Sequence, residues 1–419
     1  MMTVIGGLAV AAAINNSRNI IRGLKKSDFA SSTRRFRTRL AGGVLGGLLL
    51  AVSPALWAEE SCPCGSSCSG EAAAADDKAF SLDSLLGDAV PFTIGGWTQL
   101  GYTNDSDGVF NTSPDEINLH EQWLYAERVA DGRCGWDFGF RLDAIYGTDA
   151  QNTQAFGEPP PQHHFDTEWD YGIHGWALPQ VYVEVANGDW SVKGGHFLTL
   201  IGYESVPATV NFFFSRPFTF NFNEPFTHTG VLGTYTASDA VTLYGGWTAG
   251  WDTGFDSFDG GNNFLGGVGF GLSDRVTVTY ALTAGDLGFP QGEGYSHSLV
   301  VDTTPAPDWN YVFQWDQVEV NANPFGPNTN HRSGVVNYLF YTINNAFKAG
   351  VRAEWFRSGS HSVYEITTGV NVRPIPNLVI RPEFRWQFAD GQDDEQFFAN
   401  QLGIPTGGTI FGIDVILTY

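Results

Sequence analysis

Basic residues are scarce in this sequence beyond its first 58 positions. The chain of 419 residues has 22 Lys and Arg against 45 Asp and Glu. Eight of the basic residues precede position 59 and have one acidic neighbour there, Asp28, so the remaining 14 basic and 44 acidic residues give a formal charge of −30. A strongly acidic surface repels a polyanion. The composition therefore excludes nucleic acid as a partner.

Long apolar runs are also missing after position 58, where no run reaches 18 residues, so no transmembrane helix is expected there. Before that position, four arginines within residues 34–39 precede the apolar run "LAGGVLGGLLLAVSPALWA", residues 40–58. A basic segment, an apolar segment and small residues before a cleavage site are features of a secretory signal peptide. We therefore predict that residues 1–58 are an export leader. A periplasmic, secreted or outer-membrane protein remains possible.

Cysteine is limited to four residues, and three of them, Cys62, Cys64 and Cys68, lie in "SCPCGSSC". No histidine is nearby, so a disulfide or a disordered spacer is favoured over a metal or redox role. We expect no metal site and no cofactor, and we predict that residues 59–90 form a periplasmic linker. Cys134 has the parity of its apolar neighbours and is interpreted as a small hydrophobic residue.

Alternating apolar and polar residues are abundant. The stretch "CGWDFGFRLDAIYG", residues 134–147, places Trp136 and Phe138 on one parity and Asp137 and Arg141 on the other. Period-two alternation indicates a strand with different surroundings on its two faces, and this strand is longer than the usual length of about 5 or 6 residues. Sixteen such strands are predicted, near 92–103, 118–129, 134–147, 175–186, 190–198, 228–236, 241–251, 262–272, 275–284, 295–303, 309–316, 334–343, 346–356, 363–373, 378–388 and 409–419.

The connections between these strands alternate in length. Seven short turns, such as Asp131-Gly132 and Asn344-Asn345, alternate with eight longer loops. An even number of strands, with short turns at one end and long loops at the other, is typical of an outer-membrane barrel. We therefore predict an all-β fold, a transmembrane antiparallel up-and-down β-barrel of about 16 strands formed by residues 91–419.

The two faces of the predicted strands differ in charge. Residues 346–356 oppose Phe347 and Val351 to Lys348 and Arg352. An Arg that faces lipid near the membrane midplane costs about 2 to 4 kcal/mol, so the charged face is expected to line the lumen, where rings of charge filter ions. Pairing across strands, which would only stabilise the wall, is the alternative role. The predicted pore-lining residues are Asp137, Arg141, Asp143, Lys193, Lys348, Arg352, Glu354, Arg381, Glu383 and Arg385.

The third long loop, residues 198–227, contains the apolar stretch "VNFFFSRPFTFNFNEPF". Such a loop is too apolar to extend into water, and we expect it to fold inward and narrow the pore. Glu204 and Glu224 are expected to face basic strand residues and to create a transverse field. A sugar-binding surface or a subunit contact is the alternative for the aromatic residues. The predicted constriction residues are Glu204, Phe212, Phe213, Phe214, Arg216, Phe218 and Glu224.

Four blocks, "WLYAER", "WDFGFRLDAIYGTDA", "HFLTLIGYESVPATVNFFFSRPFTF" and "EPFTHTGVLGTY", together resemble the OmpL-like outer-membrane β-barrel porins, a family frequent in planctomycete-type bacteria. The likeness covers about residues 92–419. It implies a barrel channel embedded in outer-membrane lipid and no catalytic residues. The last strand, "TIFGIDVILTY", ends on Tyr419, and this terminal aromatic residue resembles the signal that the barrel-assembly machinery reads.

Barrels of 16 to 18 strands enclose an aqueous channel. We therefore predict a porin through which small hydrophilic solutes or ions diffuse passively, with a homotrimer expected by analogy alone. Net acidity favours cations and the basic wall favours anions, so the charge selectivity stays open. The acidic loops at 104–108, 252–261 and 390–396 favour a solvated surface over Ca²⁺ binding through several carboxylates.

Two other functions are compatible with the sequence. A non-conducting surface barrel or adhesin would have its lumen closed by the tail or the loops. A barrel lipase or protease would need Ser205 or Ser215 beside His196 or His228. No "GxSxG" motif occurs, so we expect no enzyme activity.

Overall fold

The structure is a computed structural model that describes residues 80–82, 91–155, 166, 170–255 and 260–419. The predicted leader and the cysteine run at 61–68 lie outside these residues. In the described part, no helix is long and apolar enough to cross a membrane.

Antiparallel strands dominate the described residues, and short helices occur only in their connections. The strands are β1 Thr93–Thr103, β2 Ile117–Arg128, β3 Asp137–Gly147, β4 Gly175–Asn187, β5 Trp190–Leu198, β6 Thr227–Ser238, β7 Val241–Thr248, β8 Asn262–Ser273, β9 Val276–Asp286, β10 Glu293–Ala306, β11 Trp309–Val320, β12 His331–Asn344, β13 Phe347–Ser358, β14 His361–Ile375, β15 Leu378–Ala389 and β16 Gly408–Thr418. The helices are α1 Thr148–Thr153, α2 Phe218–Asn223 and α3 Gln392–Gln401, with 3-10 turns at Gly132–Cys134 and Ala208–Val210.

Each strand pairs with its neighbours in sequence, and β1 pairs with β16 to close the barrel. The register of this seam runs from Trp97 opposite Thr418 to Thr103 opposite Gly412. Tyr419 extends the seam, because its N–H donates to the Gly96 carbonyl and its carbonyl accepts from the Gly96 N–H, both at 2.9 Å. Closure leaves no strand edge unpaired. The predicted antiparallel barrel of 16 strands is confirmed.

Burial alternates along the strands as the sequence does. On β15, Phe384 and Trp386 are 55% and 48% exposed, whereas Arg385 between them is 1% exposed. On β13, Val351 is exposed and Arg352 is fully buried. The apolar row therefore faces outward, toward the lipid of a membrane, and the charged row faces the interior.

The connection between β2 and β3 differs from the predicted tight turn. It spans residues 129–136 and contains the 3-10 turn Gly132–Cys134, so β3 begins at Asp137 rather than at residue 134. The side chain of Asp131 caps this turn by accepting from the Arg133 N–H at 3.1 Å. Cys134 is disulfide-bonded, so its interpretation as a small hydrophobic residue was wrong.

The connection between β13 and β14 is shorter than predicted, because it consists of residues 359–360 alone. Gly359 has a φ of 59°, which a residue without Cβ adopts at low cost in a tight turn. Asp394 of α3 stabilises this end of the hairpin by contacting the His361 ring at 2.8 Å. The other strand ends agree with the prediction to within four residues.

A guanidinium group on the outward face should destabilise the barrel according to its depth. Val351→Arg places it near the middle of β13, and we expect a loss of about 2 to 4 kcal/mol in the free energy of unfolding. The matched variant Phe347→Arg places it on the same face at the short-turn end, where the expected loss is about 0 to 1 kcal/mol. Equilibrium unfolding from lipid vesicles measures both losses. Equal losses would contradict this orientation of β13.

Candidate pore constriction

Residues 199–226, which connect β5 to β6, lie inside the barrel and are called the lumen loop below. Its Phe218 N–H donates to Glu354 of β13 at 2.7 Å. In the closed ring of 16 strands, β13 is eight strands from β5 and therefore on the opposite wall. A connection that leaves β5 and contacts β13 must cross the lumen.

Aromatic side chains pack the lumen loop against the wall and against an external loop. Phe218 and Phe220 are 0% and 1% exposed. The Phe218 ring centroid lies 6.3 Å from that of Phe356 on β13, and the Phe220 centroid lies 5.8 Å from that of Phe110 in the β1–β2 loop. Burial of apolar area explains why the loop does not extend into water. These buried rings are not available for a contact with another subunit.

The three consecutive phenylalanines of the loop reach neighbouring parts of the same wall. Phe212 packs on Phe340 of β12 with ring centroids 4.7 Å apart. Phe213 also lies beside Phe340, at 6.3 Å, and the Phe214 ring meets His120 of β2 edge-on at 4.9 Å. The loop thereby spans the inner surface from β12 to β2.

Glutamates of the wall bind the backbone of the lumen loop. Glu354 accepts the N–H groups of residues 218 and 219 at 2.7 and 2.6 Å, and Glu383 accepts those of residues 214 and 215 at 2.9 and 3.1 Å. Buried irregular backbone needs such partners, because water does not reach its N–H groups. Both glutamates were predicted to line the pore, and the structure places them beneath the loop instead of beside open lumen.

Arg352 connects the lumen loop to two strands. Its Nη1 donates to Glu204 of the loop at 2.9 Å and to the Ser215 carbonyl at 2.7 Å, while its Nε donates to Glu365 of β14 at 2.7 Å. The Arg352 and Glu204 side chains are 0% and 2% exposed. Glu204 therefore faces a basic strand residue in a buried ion pair.

Arg381 and Arg385 of β15 also contact the loop through its carbonyl oxygens. Arg381 donates to the Asn211 carbonyl at 2.7 Å and pairs with Asp414 of β16 at 2.5 Å. Arg385 donates to the Arg216 carbonyl at 2.6 Å. Arg216 itself, predicted at the constriction, stays within the loop and donates to the Val206 carbonyl.

Glu224 differs from the expectation that it faces a basic residue. Its Oε1 accepts from Gln314 of β11 at 2.6 Å, and the same amide nitrogen donates to Asp316 at 2.9 Å. Burial and the nearby Asp316 carboxylate raise the pKa of Glu224 well above its ordinary value. The predicted transverse field therefore has no contribution from a Glu224 ion pair, which is a correction to the sequence analysis.

The remaining predicted pore-lining acids pair within the wall. Arg141 of β3 binds Asp143 at 2.5 Å and Glu127 of β2 at 2.6 Å. Asp137, at the first position of β3, binds Arg128 at 2.7 Å. The Arg141–Glu127 and Arg128–Asp137 pairs join β2 to β3 and support the alternative role of cross-strand pairing, whereas the Arg141–Asp143 pair lies within β3.

The two predicted pore-lining lysines differ from the paired charged residues of the wall, because neither lysine forms an ion pair with any described residue. Lys193 Nζ lies 5.1 Å from the Tyr182 ring centroid, and Lys348 Nζ lies 4.7 Å from that of Phe340. Aromatic faces attract cations, so both ammonium groups have a favourable position without a neutralising partner. Whether they filter solutes stays a prediction.

Three carboxylates at the loop were missed by the sequence analysis. Glu365 and Asp414 alternate with outward apolar residues along β14 and β16. Extending the apolar and polar alternation along these two strands would have identified both as inward residues. Glu121 accepts from Trp97 Nε1 at 2.5 Å and from the Ala208 N–H at 3.0 Å. It adjoins a bulge in the β1–β2 register, where His120 and Glu121 are both buried. Strict alternation does not predict such a position.

The wall formed by β6–β9 is built from smaller inward side chains. On β7, Leu243 and Trp247 are 43% and 50% exposed and face outward, which fixes the opposite parity as inward. The inward positions nearer the short turns include Thr234, Thr236, Thr242, Gly269, Thr277 and Thr279. Farther from these turns, the inward Leu232, Leu265 and Ala281 are buried in a cluster with Ile201 of the lumen loop. The part of this wall nearer the short turns therefore has smaller inward side chains than β13 and β15, whose inward residues include Arg352 and Arg385.

The residues proposed for a barrel hydrolase are held by other groups. The Ser215 hydroxyl accepts from Arg352 at 3.0 Å. His196 contacts the Thr229 hydroxyl at 2.8 Å, and His228 contacts the Thr199 hydroxyl at 3.0 Å. Across the described ranges, no group of three or more His, Cys, Asp or Glu side chains is arranged to hold a metal ion.

A family of known sequences matches the region that forms this barrel. The family described as "Putative beta-barrel porin-2, OmpL-like" matches residues 91–419. The chain belongs to this family. It is an integral outer-membrane protein with a porin fold. No curated protein sequence matches the chain.

Solved porin structures share the fold of this OmpL-like porin at low sequence identity. Salmonella typhi OmpF in complex with daunomycin is 9% identical with a TM-score of 0.55, and the match covers 78% of this chain and 97% of OmpF. The anion-selective porin from Comamonas acidovorans is 10% identical with a TM-score of 0.53, covering 78% and 99%. The channel DcaP of Acinetobacter baumannii is 10% identical with a TM-score of 0.52, covering 81% and 99%.

Asp252, in the β7–β8 connection of this porin, fixes the end of the lumen loop. It accepts the N–H groups of Phe226 and Thr227 at 2.7 and 2.8 Å. Burial raises the pKa of Asp252 from its ordinary value of 3.8 to about 6. The carboxyl therefore favours the folded state most below pH 3.8, and this contribution is lost as the pH rises through about 6.

Asp252→Asn should remove this pH dependence. Asn still accepts both N–H groups and tolerates the φ of 49° at this position. We expect the wild type to lose about 2.4 kcal/mol of unfolding free energy relative to Asp252→Asn between pH 4 and pH 7.5, since one pKa unit corresponds to about 1.4 kcal/mol and part of the shift lies below pH 4. Unfolding curves of both proteins across this range measure the difference. A constant difference would contradict the raised pKa.

Arg352→Gln should be strongly destabilising in this porin. The change leaves the buried carboxylates Glu204 and Glu365 without this partner, and we expect a loss of about 3 to 5 kcal/mol in unfolding free energy. The control Arg357→Gln removes an exposed guanidinium that donates to the Gly359 carbonyl, and it should stay within about 0.5 kcal/mol. Urea unfolding of both variants at one pH makes the comparison. Similar losses in the two variants would contradict a stabilising role for the buried contacts of Arg352.

Proposed function

We propose that this barrel is an outer-membrane porin through which small hydrophilic solutes diffuse passively past the lumen loop. The observation that carries the proposal is the loop itself, which leaves β5 and is hydrogen-bonded to β13 on the opposite wall. A segment of this kind narrows a barrel of 16 strands without filling it, since barrels of this size enclose an aqueous channel. No enzyme activity belongs to this proposal.

The passage in this proposal runs beside the small inward residues of β6–β9 and is narrowed where Ile201 of the lumen loop packs against Leu232 and Leu265 of this wall. Small inward residues such as Thr277 and Thr279 leave room there, whereas Arg352 and Glu354 on the far side are covered by the loop. Lys193 on β5 adjoins this passage. The pore-lining role of the predicted charged residues is thereby restricted to those that the loop leaves uncovered.

Further parts of the proposal concern export and assembly. Residues 1–58 serve as the export leader and residues 59–90 as a periplasmic linker. Tyr419, at the seam, is read by the barrel-assembly machinery. The assembled form is a homotrimer, which is proposed by analogy alone.

A non-conducting surface barrel is the second candidate, and the packing of external loops over the lumen loop favours it. Phe325 of the β11–β12 loop meets Phe222 of the lumen loop at 5.4 Å between ring centroids. Phe398 of α3 meets Phe356 of β13 at 6.2 Å, and Phe356 in turn packs on Phe222 at 5.6 Å. Such contacts close part of the external mouth. The two candidates differ in whether an ion path remains open.

Single-channel recording in planar bilayers tests the proposal. Refolded residues 59–419 should give discrete open steps, and replacing residues 211–223 by a short Gly-Ser linker should enlarge them, because it removes the central part of the lumen loop. Arg357→Gln, which changes an exposed external residue, should leave the steps unchanged. The reversal potential in a salt gradient gives the charge selectivity.

Each outcome of this recording has a distinct meaning. Steps of equal size in the wild type and in the shortened loop would contradict the constriction. Steps in the shortened loop alone would support the closed surface barrel. A folded barrel without steps in either form would remove the channel proposal.

A further inference from the structure

Two buried carboxylates meet where the lumen loop returns to the wall. Glu224, directly after α2, is 3% exposed, and Asp316 of β11 is fully buried. The side-chain amide of Gln314 donates to Oε1 of Glu224 at 2.6 Å and to Oδ2 of Asp316 at 2.9 Å. The shared amide brings the two carboxylates within hydrogen-bonding reach of each other, and Oε2 of Glu224 lies against Gly202 of the lumen loop.

These carboxylates have no basic partner. Among the described residues, neither forms an ion pair, and the nearby Arg352 is occupied by Glu204 and Glu365. The second oxygen of each carboxylate, Oε2 of Glu224 and Oδ1 of Asp316, accepts no hydrogen bond from the described residues. Buried charges in proteins are paired, bind metal ions or are neutralised by protons, so this pair requires a counter-charge.

Neutral oxygen atoms complete the surroundings of the pair. The Ser298 hydroxyl on β10 is 1% exposed and lies within hydrogen-bonding reach of Asp316. Asn223 precedes Glu224, is fully buried, and leaves both atoms of its amide without a partner. Hydroxyl, amide and carboxylate oxygens are the ligands of hard cations.

We propose that Glu224, Asp316, Ser298 and Asn223 bind one hard divalent cation, Ca²⁺, inside the barrel. Two carboxylates balance the charge of one divalent ion, and the Ser298 hydroxyl and the unpartnered Asn223 amide oxygen supply further ligands. The ion joins the end of the lumen loop to β10 and β11. This site is distinct from the acidic external loops, and the proposal does not depend on whether the barrel conducts.

Thermal unfolding of the refolded barrel, residues 59–419, tests the site with Ca²⁺ as the probe. After treatment with a chelator, millimolar Ca²⁺ should raise the Tm of the wild type by about 5 °C at pH 7.5, because an ion that binds only the folded state stabilises it. The double variant Glu224→Gln/Asp316→Asn should show no shift. Its Tm in the chelator should exceed that of the wild type in the chelator, since the repulsion between two buried charges is gone.

A matched control carries the same change of charge at the surface. Asp393→Asn/Glu395→Gln removes two exposed carboxylates from α3, within the acidic stretch 390–396, and should keep the full Ca²⁺ shift. Titration calorimetry should give one Ca²⁺ per chain for this control and for the wild type, and none for Glu224→Gln/Asp316→Asn.

Two results would overturn the proposal. The first is a wild-type Tm that does not respond to Ca²⁺. If that Tm also falls between pH 6 and pH 9, with no such fall in Glu224→Gln/Asp316→Asn, the counter-charge is a shared proton. The second is a shift that persists in Glu224→Gln/Asp316→Asn but disappears in Asp393→Asn/Glu395→Gln, which would place the ion in the external loop.

Discussion

Irregular backbone can lie inside a barrel only when other groups replace the hydrogen bonds that water would supply, and in this protein the wall replaces them with side chains. Glu354 and Glu383 accept pairs of N–H groups from the lumen loop, and Arg352 and Arg381 donate to its carbonyl oxygens. The charged inner face thus supplies the hydrogen-bond partners that the backbone of the lumen loop needs. Removing the loop would expose these charges, and removing the charges would leave the loop backbone unsatisfied.

The same constraint explains why carboxylates accumulate around the loop. A glutamate that accepts two N–H groups, as Glu354 does, is stabilised by neutral donors and does not require one arginine of its own. Acidic residues can therefore outnumber basic ones beneath the loop. Glu224 and Asp316 are the exception, because one amide, Gln314, serves both and leaves an oxygen of each without a donor. Glu354 and Glu383 each accept two N–H groups, and Glu224 and Asp316 lack such a set of donors among the described residues.

Period two and turn spacing were enough to predict the 16 strands, and charge alternation predicted which face of β13 and β15 is inward, because each signal is local. The apolar stretch in residues 198–227 also indicated a loop that folds inward. Partners across the lumen were not predictable. Glu204 meets Arg352 and Glu224 meets Gln314 because of the path of the loop, which no local pattern encodes. Glu121 was missed because a bulge interrupts the alternation on which the prediction relied.

The position of the remaining passage follows from where the loop is anchored. A connection that leaves β5 and binds β13 and β15 divides the lumen unequally, because its aromatic side chains occupy the side of β12–β16 and β1–β2. Near the short turns, the inward residues of β6–β9 are mainly Gly and Thr where β13 and β15 carry Arg and Glu, and farther along this wall Leu232 and Leu265 contact the loop through apolar packing with Ile201. The lumen loop is hydrogen-bonded to β13 and β15, and this attachment explains both the charged side chains of that wall and the smaller side chains of the wall opposite.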